Sequence, residues 1–337
     1  MSERTVKLAA IGTGGIWGAH AKNLAALGGN EVVAVCDVSE VNRERAAEAL
    51  GARAYADIEE MFANEPQIDA AIACTPATVR RQIVEATARH NVPLFIEKPP
   101  AFSLDDARAI VKITRESGVP VVVGFMYRYL PAVDRLRELL AGRVINLVQS
   151  SFFCPAATGW NLPGWFYIKE RSGGHVLDQA IHVMDLIRFV AGDITQVQTF
   201  GNNLIRPKNE DFTIEDSSST NFRFVSGASG GHIHSWAHSE FTGQATFIGE
   251  RFRLTLELDS RLVGFVDGEA IDETFAPPPT GCSHHYEEMR AFLNAVRAAD
   301  FSAMRSPFAD AAQSLATVVA MNQSVESELP VAVAKLG

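Results

Sequence analysis

Three side chains in this sequence have the types and surroundings needed for acid–base chemistry. Lys98 follows Glu97 in "FIEKPP", where an apolar run ends in a stiff proline turn. Asp178 and His182 stand four residues apart in "GGHVLDQAIHVMDL", a spacing that places both on one face of a helix. A carboxylate orients a histidine and raises its basicity, while a lysine in a cleft can act as a base or hydrogen-bond donor. These residues also have a purely structural interpretation. Lys98 can be a solvated lysine in a turn, and Asp178 with His182 can be an ion pair in a buried helix.

A glycine-rich turn near the start is typical of a dinucleotide site. In "KLAAIGTGGIWGAH", a strand-like run leads into Gly12 and Gly14, the first two glycines of G-x-G-x-x-G. The first glycine permits a tight turn, and the second lets the backbone approach a pyrophosphate at the helix N-terminus. Trp17 stands where a third small residue is expected. The predicted cofactor contacts in this turn are Gly12, Thr13, Gly14, Gly15 and Ile16.

An acid at the end of the second predicted strand indicates which dinucleotide binds. Asp37 ends "EVVAVCD", 19 residues after Gly18. A carboxylate there accepts hydrogen bonds from both ribose hydroxyls of NAD and repels the 2′-phosphate of NADP. No arginine follows immediately, since the next one is Arg43. The sequence therefore favours NAD over NADP.

The elements that must position these groups change character along the chain. Up to about Gly124, apolar strand-like runs alternate with amphipathic helices, which predicts a parallel sheet with helices on both faces. Ser103 and Gly118 mark the start and the end of one of these helices. From Thr195 to Glu273, short runs and turns predict a mostly antiparallel sheet. We therefore expect an α/β domain over residues 1–125 and an α+β domain over residues 126–337, whose C-terminal helices can pack back on the first domain.

Composition limits the class of partner. The chain has 337 residues and a net charge of -10, which argues against a nucleic-acid groove or a basic membrane patch. The four cysteines form no close pair, and Cys36 and Cys74 lie in apolar runs where a buried inert thiol is expected. With no signal-peptide pattern and no membrane-length apolar stretch, we expect a cytoplasmic protein.

The histidines outside the helical pair do not predict a metal site. His232, His234 and His238 alternate in a strand-like run, which places them on one strand face, and we interpret them as a run on the sheet surface. His182 and Asp178 have no further ligand at a familiar spacing. His284 and His285 are expected to cap the start of a helix. We therefore predict no metal.

The order of these motifs resembles the Gfo/Idh/MocA family of oxidoreductases, named after glucose–fructose oxidoreductase and inositol dehydrogenase. The resemblance lies in "IGTGGIWGAHAKNL", "VCD", "CTPATV", "FIEKP", "GFMYRY", "SGGHVLDQAIHVMDL" and "EDSSSTNFRFVSGA". It spans the chain from Ile11 to about Ala228, and the combination of E-K-P with D-x-x-x-H is specific. Two departures stand out, since Trp17 replaces a small residue and Arg80 stands where many members have histidine.

The resemblance implies a Rossmann domain followed by a domain with a large, open, predominantly antiparallel sheet. It also implies that Lys98 contacts substrate and nicotinamide, and that Asp178 and His182 are the catalytic pair. Thr75 and Pro76 correspond to the loop beside the cofactor. Family members often assemble through the sheet, so a homodimer or homotetramer is expected.

Three further residues complete the predicted site. Glu97 of the E-K-P turn is assigned to the cofactor site. Arg128, after the last Rossmann strand, matches an arginine near the active-site cleft of the family. Trp165 lies in an aromatic loop before the helix of the catalytic pair, where a ring face can stack on a sugar or pack within the loop or a subunit contact.

The hypothesis that follows is NAD-dependent oxidation of a secondary alcohol on a sugar, inositol or related polyol. His182 removes the hydroxyl proton and Lys98 stabilises the developing charge, or the two exchange these roles. One alternative is cleavage of a glycoside by elimination with NAD retained on the enzyme. Another is a non-catalytic regulatory protein that binds NAD.

Overall fold

The computed structural model describes residues 4–258 and 261–336. The chain divides into two compact units. The first comprises the described residues of Met1–Met126, Pro278–Ala312 and Leu336–Gly337, and the second those of Tyr127–Pro277 and Gln313–Lys335. The first break lies next to the expected boundary at residue 125. Residues 278–312 belong to the first unit, so only part of the segment after residue 125 forms the second.

The first unit is built on a six-stranded sheet with the order β3-β2-β1-β4-β5-β6 and parallel pairing throughout. The strands named β4 to β6 are short and buried, as expected for a parallel sheet covered on both faces. Parallel strands end at a common edge, so the loops after β1, β2, β4 and β5 gather there. The strands are β1 (Val6–Ile11), β2 (Asn30–Cys36), β3 (Arg53–Tyr55), β4 (Ala70–Ala73), β5 (Leu94–Glu97) and β6 (Val121–Gly124).

Three helices of the first unit, α2, α3 and α5, begin at a residue whose side chain caps the first turn. Ser103 accepts a hydrogen bond from the Asp106 N–H (3.1 Å), and Gly118 ends the same helix at a φ of 71°. Both were predicted. The helices are α1 (Trp17–Leu27), α2 (Glu40–Leu50), α3 (Ile58–Asn64), α4 (Arg80–Arg89), α5 (Leu104–Ser117) and, from the C-terminal part of the chain, α9 (His285–Ala298).

The second unit contains a nine-stranded sheet with the order β14-β13-β12-β11-β7-β10-β9-β8-β15. Only the pair formed by β7 and β10 is parallel, which confirms the predominantly antiparallel sheet. Buried and exposed residues alternate along β9, because one face of the sheet is covered and the other is open. The strands are β7 (Leu147–Phe153), β8 (Ile194–Asn202), β9 (Ser217–Phe224), β10 (Ser229–Ser235), β11 (Thr242–Gly249), β12 (Phe252–Glu257), β13 (Arg261–Val266), β14 (Glu269–Thr274) and β15 (Val331–Ala332).

Helices α6 (Pro131–Leu140), α7 (Lys169–Ser172) and α8 (Ile181–Ala191) belong to the second unit, and α10 (Phe308–Ser327) crosses the boundary between residues 312 and 313. A π-helical turn, Val176–Ala180, leads directly into α8. In the described part of the chain, no helix is both long enough and apolar enough to span a membrane. All four cysteines are free thiols, and burial raises the pKa of Cys36 to about 12, in line with the inert thiol expected there.

The histidines of β10 are not on the open face of the sheet, so that expectation was wrong. His232 and His234 are 1% and 0% exposed because they point to the covered face, whereas His238 lies beyond the strand and is exposed. Nδ1 of His232 lies 3.0 Å from Oγ of Ser150, and its Nε2 lies 3.4 Å from Nδ1 of His234. The ring of His175 packs 5.0 Å from that of His234. These histidines form a buried row under the sheet.

This buried row predicts a loss of stability in mild acid. Burial lowers the pKa of His175 to about 4 and that of His232 to about 3, whereas a histidine in the unfolded chain titrates near 6.5. As pH falls below about 6.5, the unfolded chain takes up protons that the folded chain does not. The free energy of unfolding then falls by up to about 1.4 kcal/mol per pH unit for each such histidine.

The measurement is urea unfolding at pH 7 and pH 5. We expect His232→Gln to reduce the difference between the two pH values by on the order of 1–2 kcal/mol, because one of the depressed titrations is removed. His238→Gln, at an exposed histidine, serves as the control and keeps the wild-type difference. Equal pH dependence in both variants would show that the buried row does not supply the effect.

Candidate active site

The glycine turn after β1 is shaped by close contact with the loop after β4. Gly12 has a φ of 78°, and a Cβ atom there would lie 2.6 Å from Cγ2 of Thr75. Only glycine suits such a position. A Cβ atom on Gly14 or Gly15 would meet no described atom within 4 Å. The turn is therefore tight on its inner side and open on its outer side, which is the shape a pyrophosphate needs.

Asp37 connects the end of β2 to this turn. Its Oδ2 accepts hydrogen bonds from the Thr13 N–H (2.7 Å) and from the Thr13 hydroxyl (3.2 Å). Its Oδ1 accepts one from the Ser39 N–H (2.8 Å). A carboxylate has about four acceptor positions, so these contacts orient Asp37 and leave capacity for a ligand hydroxyl. The half-buried carboxylate fits the predicted ribose contact.

Helix α1 begins at Trp17, directly after the turn. Ile16 is its exposed N-cap residue, and no described side chain caps the helix there, so its first N–H groups are not occupied by a capping side chain. Trp17 is 5% exposed. The indole lines a groove of about 690 Å³ together with the turn residues Thr13, Gly14 and Gly15 and side chains of α2.

The loop after β4 offers one unsatisfied polar group. Oγ1 of Thr75 is buried and has no hydrogen-bond partner among the described residues. Pro76 is exposed and begins the short 3₁₀ turn Ala77–Val79. A buried hydroxyl without a partner costs free energy, so Thr75 is suited to a ligand that supplies the missing hydrogen bond. Together with the open glycine turn, this hydroxyl fits the dinucleotide predicted from the sequence.

Lys98 lies half-buried at the carboxyl end of β5, and the bond from Lys98 to Pro99 is cis. Glu97 faces inward and is 3% exposed. One carboxylate oxygen accepts a hydrogen bond from the Lys98 N–H (3.0 Å), and the other lies 2.6 Å from Nε2 of His20. The predicted cofactor contact of Glu97 stays a prediction, because both oxygens are used within the domain.

The inner side of this turn contains ionisable groups that the sequence did not single out. Burial raises the pKa of Glu97, but the hydrogen bond and charge of His20, with the charges of His285 and Lys98, outweigh it and hold that pKa below its ordinary value. Burial, followed by the charge of Glu97, raises the pKa of Glu288 well above its ordinary value. Neither oxygen of Glu288 has a hydrogen-bond partner within the described ranges. Burial and the neighbouring negative charge therefore favour the neutral form of Glu288 over the charged one.

His20, Glu97 and His285 bring three possible metal-ligand atoms within 4.8 Å of one another. The 2.6 Å between His20 and Glu97 is a hydrogen-bond distance. Two ligands about 2.0–2.2 Å from one metal ion lie farther apart than that in tetrahedral geometry. We therefore interpret the contact between His20 and Glu97 as a hydrogen bond, with His285 3.9 Å from the same carboxylate oxygen. His20 and Glu288 lie on the buried faces of α1 and α9. A polar residue at an apolar position of a helix is the pattern by which the sequence could have identified them.

In the second unit, the predicted acid–histidine pair lies around the π-helical turn. Asp178 is half-buried within the turn, and His182, 6% exposed, lies in the first turn of α8. The sequence predicted one regular helix, and the structure differs in its hydrogen bonding over Val176–Ala180. The His182 ring packs edge-on against Tyr127 with centroids 5.6 Å apart. Turns of this kind occur frequently at functional sites.

The guanidinium group of Arg128 forms a buried ion pair with Asp185. Its Nε and Nη2 donate to the two carboxylate oxygens of Asp185 at 2.7 and 2.6 Å, and its guanidinium lies 4.8 Å from the ring centroid of Phe189. Trp165 is 39% exposed and stacks on Phe166 with centroids 4.1 Å apart. The predicted substrate contacts of both residues stay predictions. The ion pair gives Arg128 a structural role in the second unit.

Comparison with known proteins places these features in a family. Residues 6–125 match the family model described as an oxidoreductase family with an NAD-binding Rossmann fold, and residues 133–255 match the GFO/IDH/MocA C-terminal domain. Scyllo-inositol 2-dehydrogenase (NAD(+)) of Bacillus subtilis is 32% identical over 68% of this chain and 66% of its own length. Myo-inositol 2-dehydrogenase of Thermotoga maritima is 28% identical over 67% of each chain.

Three of the curated relatives are matched over 66%, 57% and 56% of their own length. Solved structures extend the likeness of the fold to nearly the whole chain. The apo form of levoglucosan dehydrogenase has a TM-score of 0.85 at 20% identity, covering 99% of this chain and 100% of that one. An NAD-binding oxidoreductase from Klebsiella pneumoniae has a TM-score of 0.85 at 21% identity, covering 98% and 99%. The chain belongs to the Gfo/Idh/MocA family of oxidoreductases, and its first unit is an NAD-binding Rossmann domain.

Proposed function

We propose that this protein is an NAD-dependent dehydrogenase that oxidises a secondary alcohol of a sugar, an inositol or a related polyol. The observation that carries the proposal is the position of Lys98, held at the carboxyl end of β5 in an NAD-binding domain. Ligands of open α/β sheets bind beyond those strand ends. The names of two relatives, both inositol 2-dehydrogenases, support the substrate class.

Each residue has a defined part in the proposed reaction. Asp37 accepts hydrogen bonds from the ribose hydroxyls of NAD, and the glycine turn with the first turn of α1 holds the pyrophosphate. When bound, NAD supplies the hydride acceptor. Lys98 donates a hydrogen bond to the reacting hydroxyl oxygen and stabilises its developing charge. His182, oriented by Asp178, accepts the hydroxyl proton.

A second candidate is a reaction that keeps its NAD bound and releases no NADH. A relative from Mediterraneibacter gnavus, 29% identical over 63% of this chain, is a 2,7-anhydro-N-acetylneuraminate hydratase by name, so the family includes activities other than net oxidation. NAD that survives desalting, with product formed but no net NADH, would favour this candidate. A purely regulatory role is disfavoured because Lys98, Asp178 and His182 are all present.

The open face of the nine-stranded sheet is the proposed contact between copies of the chain. Phe200 and Ile233 are each 54% exposed there, and both lie beside Ser219 in the strand register. Phe265 and Leu147 on the same sheet are 39% and 38% exposed. An apolar patch on a sheet face marks an interaction surface. We place the resulting homodimer or homotetramer in the cytoplasm, where free buried thiols are expected.

Removing the carboxylate of Asp37 should weaken NAD binding. We expect Asp37→Ala to raise the Kd for NAD by about 10- to 100-fold, because hydrogen bonds to a charged group contribute about 1.5–3 kcal/mol. The Kd for NADP should change less, because the repulsion of its phosphate is also lost. Isothermal titration with both dinucleotides measures this. Glu40→Ala, at a nearby exposed acid, is the matched control, and an equal loss in both variants would contradict the assignment.

The test of function is NADH production across a panel of inositols, sugars and their acids. Lys98→Ala and His182→Ala should each lower kcat on the best substrate by about 10²- to 10⁴-fold, the usual contribution of a positioned proton-transfer group. His182→Ala should leave the Kd for NAD within about twofold of wild type. Lys112→Ala and His238→Ala, at exposed residues, are the controls. Wild-type turnover in both site variants would refute the mechanism.

Charged residues on the open sheet face should separate the copies. We expect the double variant Phe200→Asp, Ile233→Asp to run as a monomer in size-exclusion chromatography with light scattering, because two buried carboxylates would lack partners. Val41→Asp places the same charge on an exposed apolar position of α2 and should leave the mass of the assembly unchanged. An unchanged mass in the double variant would exclude this face as the interface.

A further inference from the structure

Arg80 is the first residue of α4 and is only 2% exposed, which is unusual for arginine. Its guanidinium donates hydrogen bonds to three backbone carbonyl groups. Nη2 reaches the Thr75 oxygen at 2.9 Å and the Lys98 oxygen at 3.2 Å, while Nη1 reaches the Pro99 oxygen. One side chain thereby joins the loop after β4 to the loop after β5.

With these contacts, both polar backbone atoms of Lys98 are hydrogen-bonded. The Lys98 N–H donates to Glu97, and the Lys98 carbonyl accepts from Arg80. The same guanidinium fixes the carbonyl of Thr75, the residue whose buried hydroxyl lacks a partner among the described residues. Arg80 therefore connects the backbone of Lys98 with the neighbouring loop that carries the Thr75 hydroxyl.

Only arginine can make this set of bonds from one position. Its guanidinium presents five N–H donors in a rigid plane, so it can serve several carbonyl groups at once. A neutral histidine has one donor. A lysine has three donors on a single atom, which gives a point charge without a fixed spacing.

We propose that Arg80 is a positioning residue, which sets Lys98 and Thr75 in fixed relation at the nicotinamide end of the cofactor. The inference rests on the proposed function, since it assumes that these two residues meet that end of NAD. Arg80 itself contacts neither cofactor nor substrate in this assignment, and it acts through the backbone of the two loops.

Two ligands separate this role from a general one in folding. ADP-ribose contains the adenosine, the pyrophosphate and a ribose but lacks the nicotinamide ring, whereas NADH contains all of them. We expect Arg80→Ala to raise the Kd for NADH by about tenfold or more, while the Kd for ADP-ribose stays within about threefold of wild type. Arg80→Lys and Arg80→His should give intermediate losses for NADH, because each restores only part of the donor set.

Arg81→Ala is the matched control on the same helix, because the Arg81 side chain is 50% exposed and pairs with Glu85. It should leave both dissociation constants unchanged. Equal losses for NADH and ADP-ribose in the Arg80 variants would overturn the proposal, since they would indicate damage to the whole domain. No loss for either ligand would overturn it as well. Where Arg80→Ala does not fold, Arg80→Lys is judged by the same two titrations.

Measurement of turnover tests the positioning role of Arg80 independently of the binding experiments. On a substrate that the wild type oxidises, Arg80→Ala should lower kcat by about tenfold or more with a smaller change in the KM for the alcohol, and added guanidinium ion should restore part of kcat. A wild type that binds NADH but oxidises no member of the panel would count against the proposed function. The comparison of NADH with ADP-ribose would still decide the role of Arg80.

Discussion

The backbone of Lys98 is held at both its N–H and its carbonyl group, and the candidate site of the first unit depends on this. The Glu97 carboxylate accepts the N–H, and the Arg80 guanidinium binds the carbonyl. A flexible lysine side chain loses about 2 kcal/mol of rotamer entropy when it is ordered, so an anchored backbone reduces what remains to be ordered when a ligand arrives. Catalytic groups need this kind of support to reach productive geometry.

The support has a cost that the surrounding residues offset. A buried carboxylate is expensive unless it is hydrogen-bonded and paired, and Glu97 meets that condition through His20 and the Lys98 N–H. At Glu288, burial and the charge of Glu97 raise the pKa instead. The pKa values of the two acids are thus shifted in opposite directions, as expected when like groups lie in a site of low polarity and one of them has the hydrogen-bond partners.

Local patterns were sufficient to predict much of the fold. The glycine turn that leads into α1, the caps of α5 and the strand that ends in the E-K-P turn all follow from neighbouring residues. The missing parts depend on contacts between distant segments. His20 meets His285 only because α9 returns to the first unit, and no periodicity encodes that return. The short elements β3 and α3 carry too few residues for a clear pattern.

The second unit shows the same division. Alternation along β9 and β10 predicted strands, but it could not say which face would be covered, so the histidines of β10 were assigned to the wrong side. Because side chains alternate between the two faces of a strand, an error in assigning the covered face places every side chain of that strand on the wrong side. Likewise, the π-helical turn at Asp178 inserts one residue into a helical pattern that reads as regular in the sequence.

One contact at the cofactor turn has a consequence for protein engineering. The carboxylate of Asp37, the proposed contact of the cofactor ribose, also accepts a hydrogen bond from the Thr13 N–H and so braces the glycine turn. Under that assignment, the choice of dinucleotide and the rigidity of the turn depend on one side chain, so a substitution there alters both. Redesign toward NADP therefore requires a second substitution that supplies a new acceptor for the Thr13 N–H. Without it, removal of the Asp37 carboxylate would loosen the glycine turn that must bind the new cofactor.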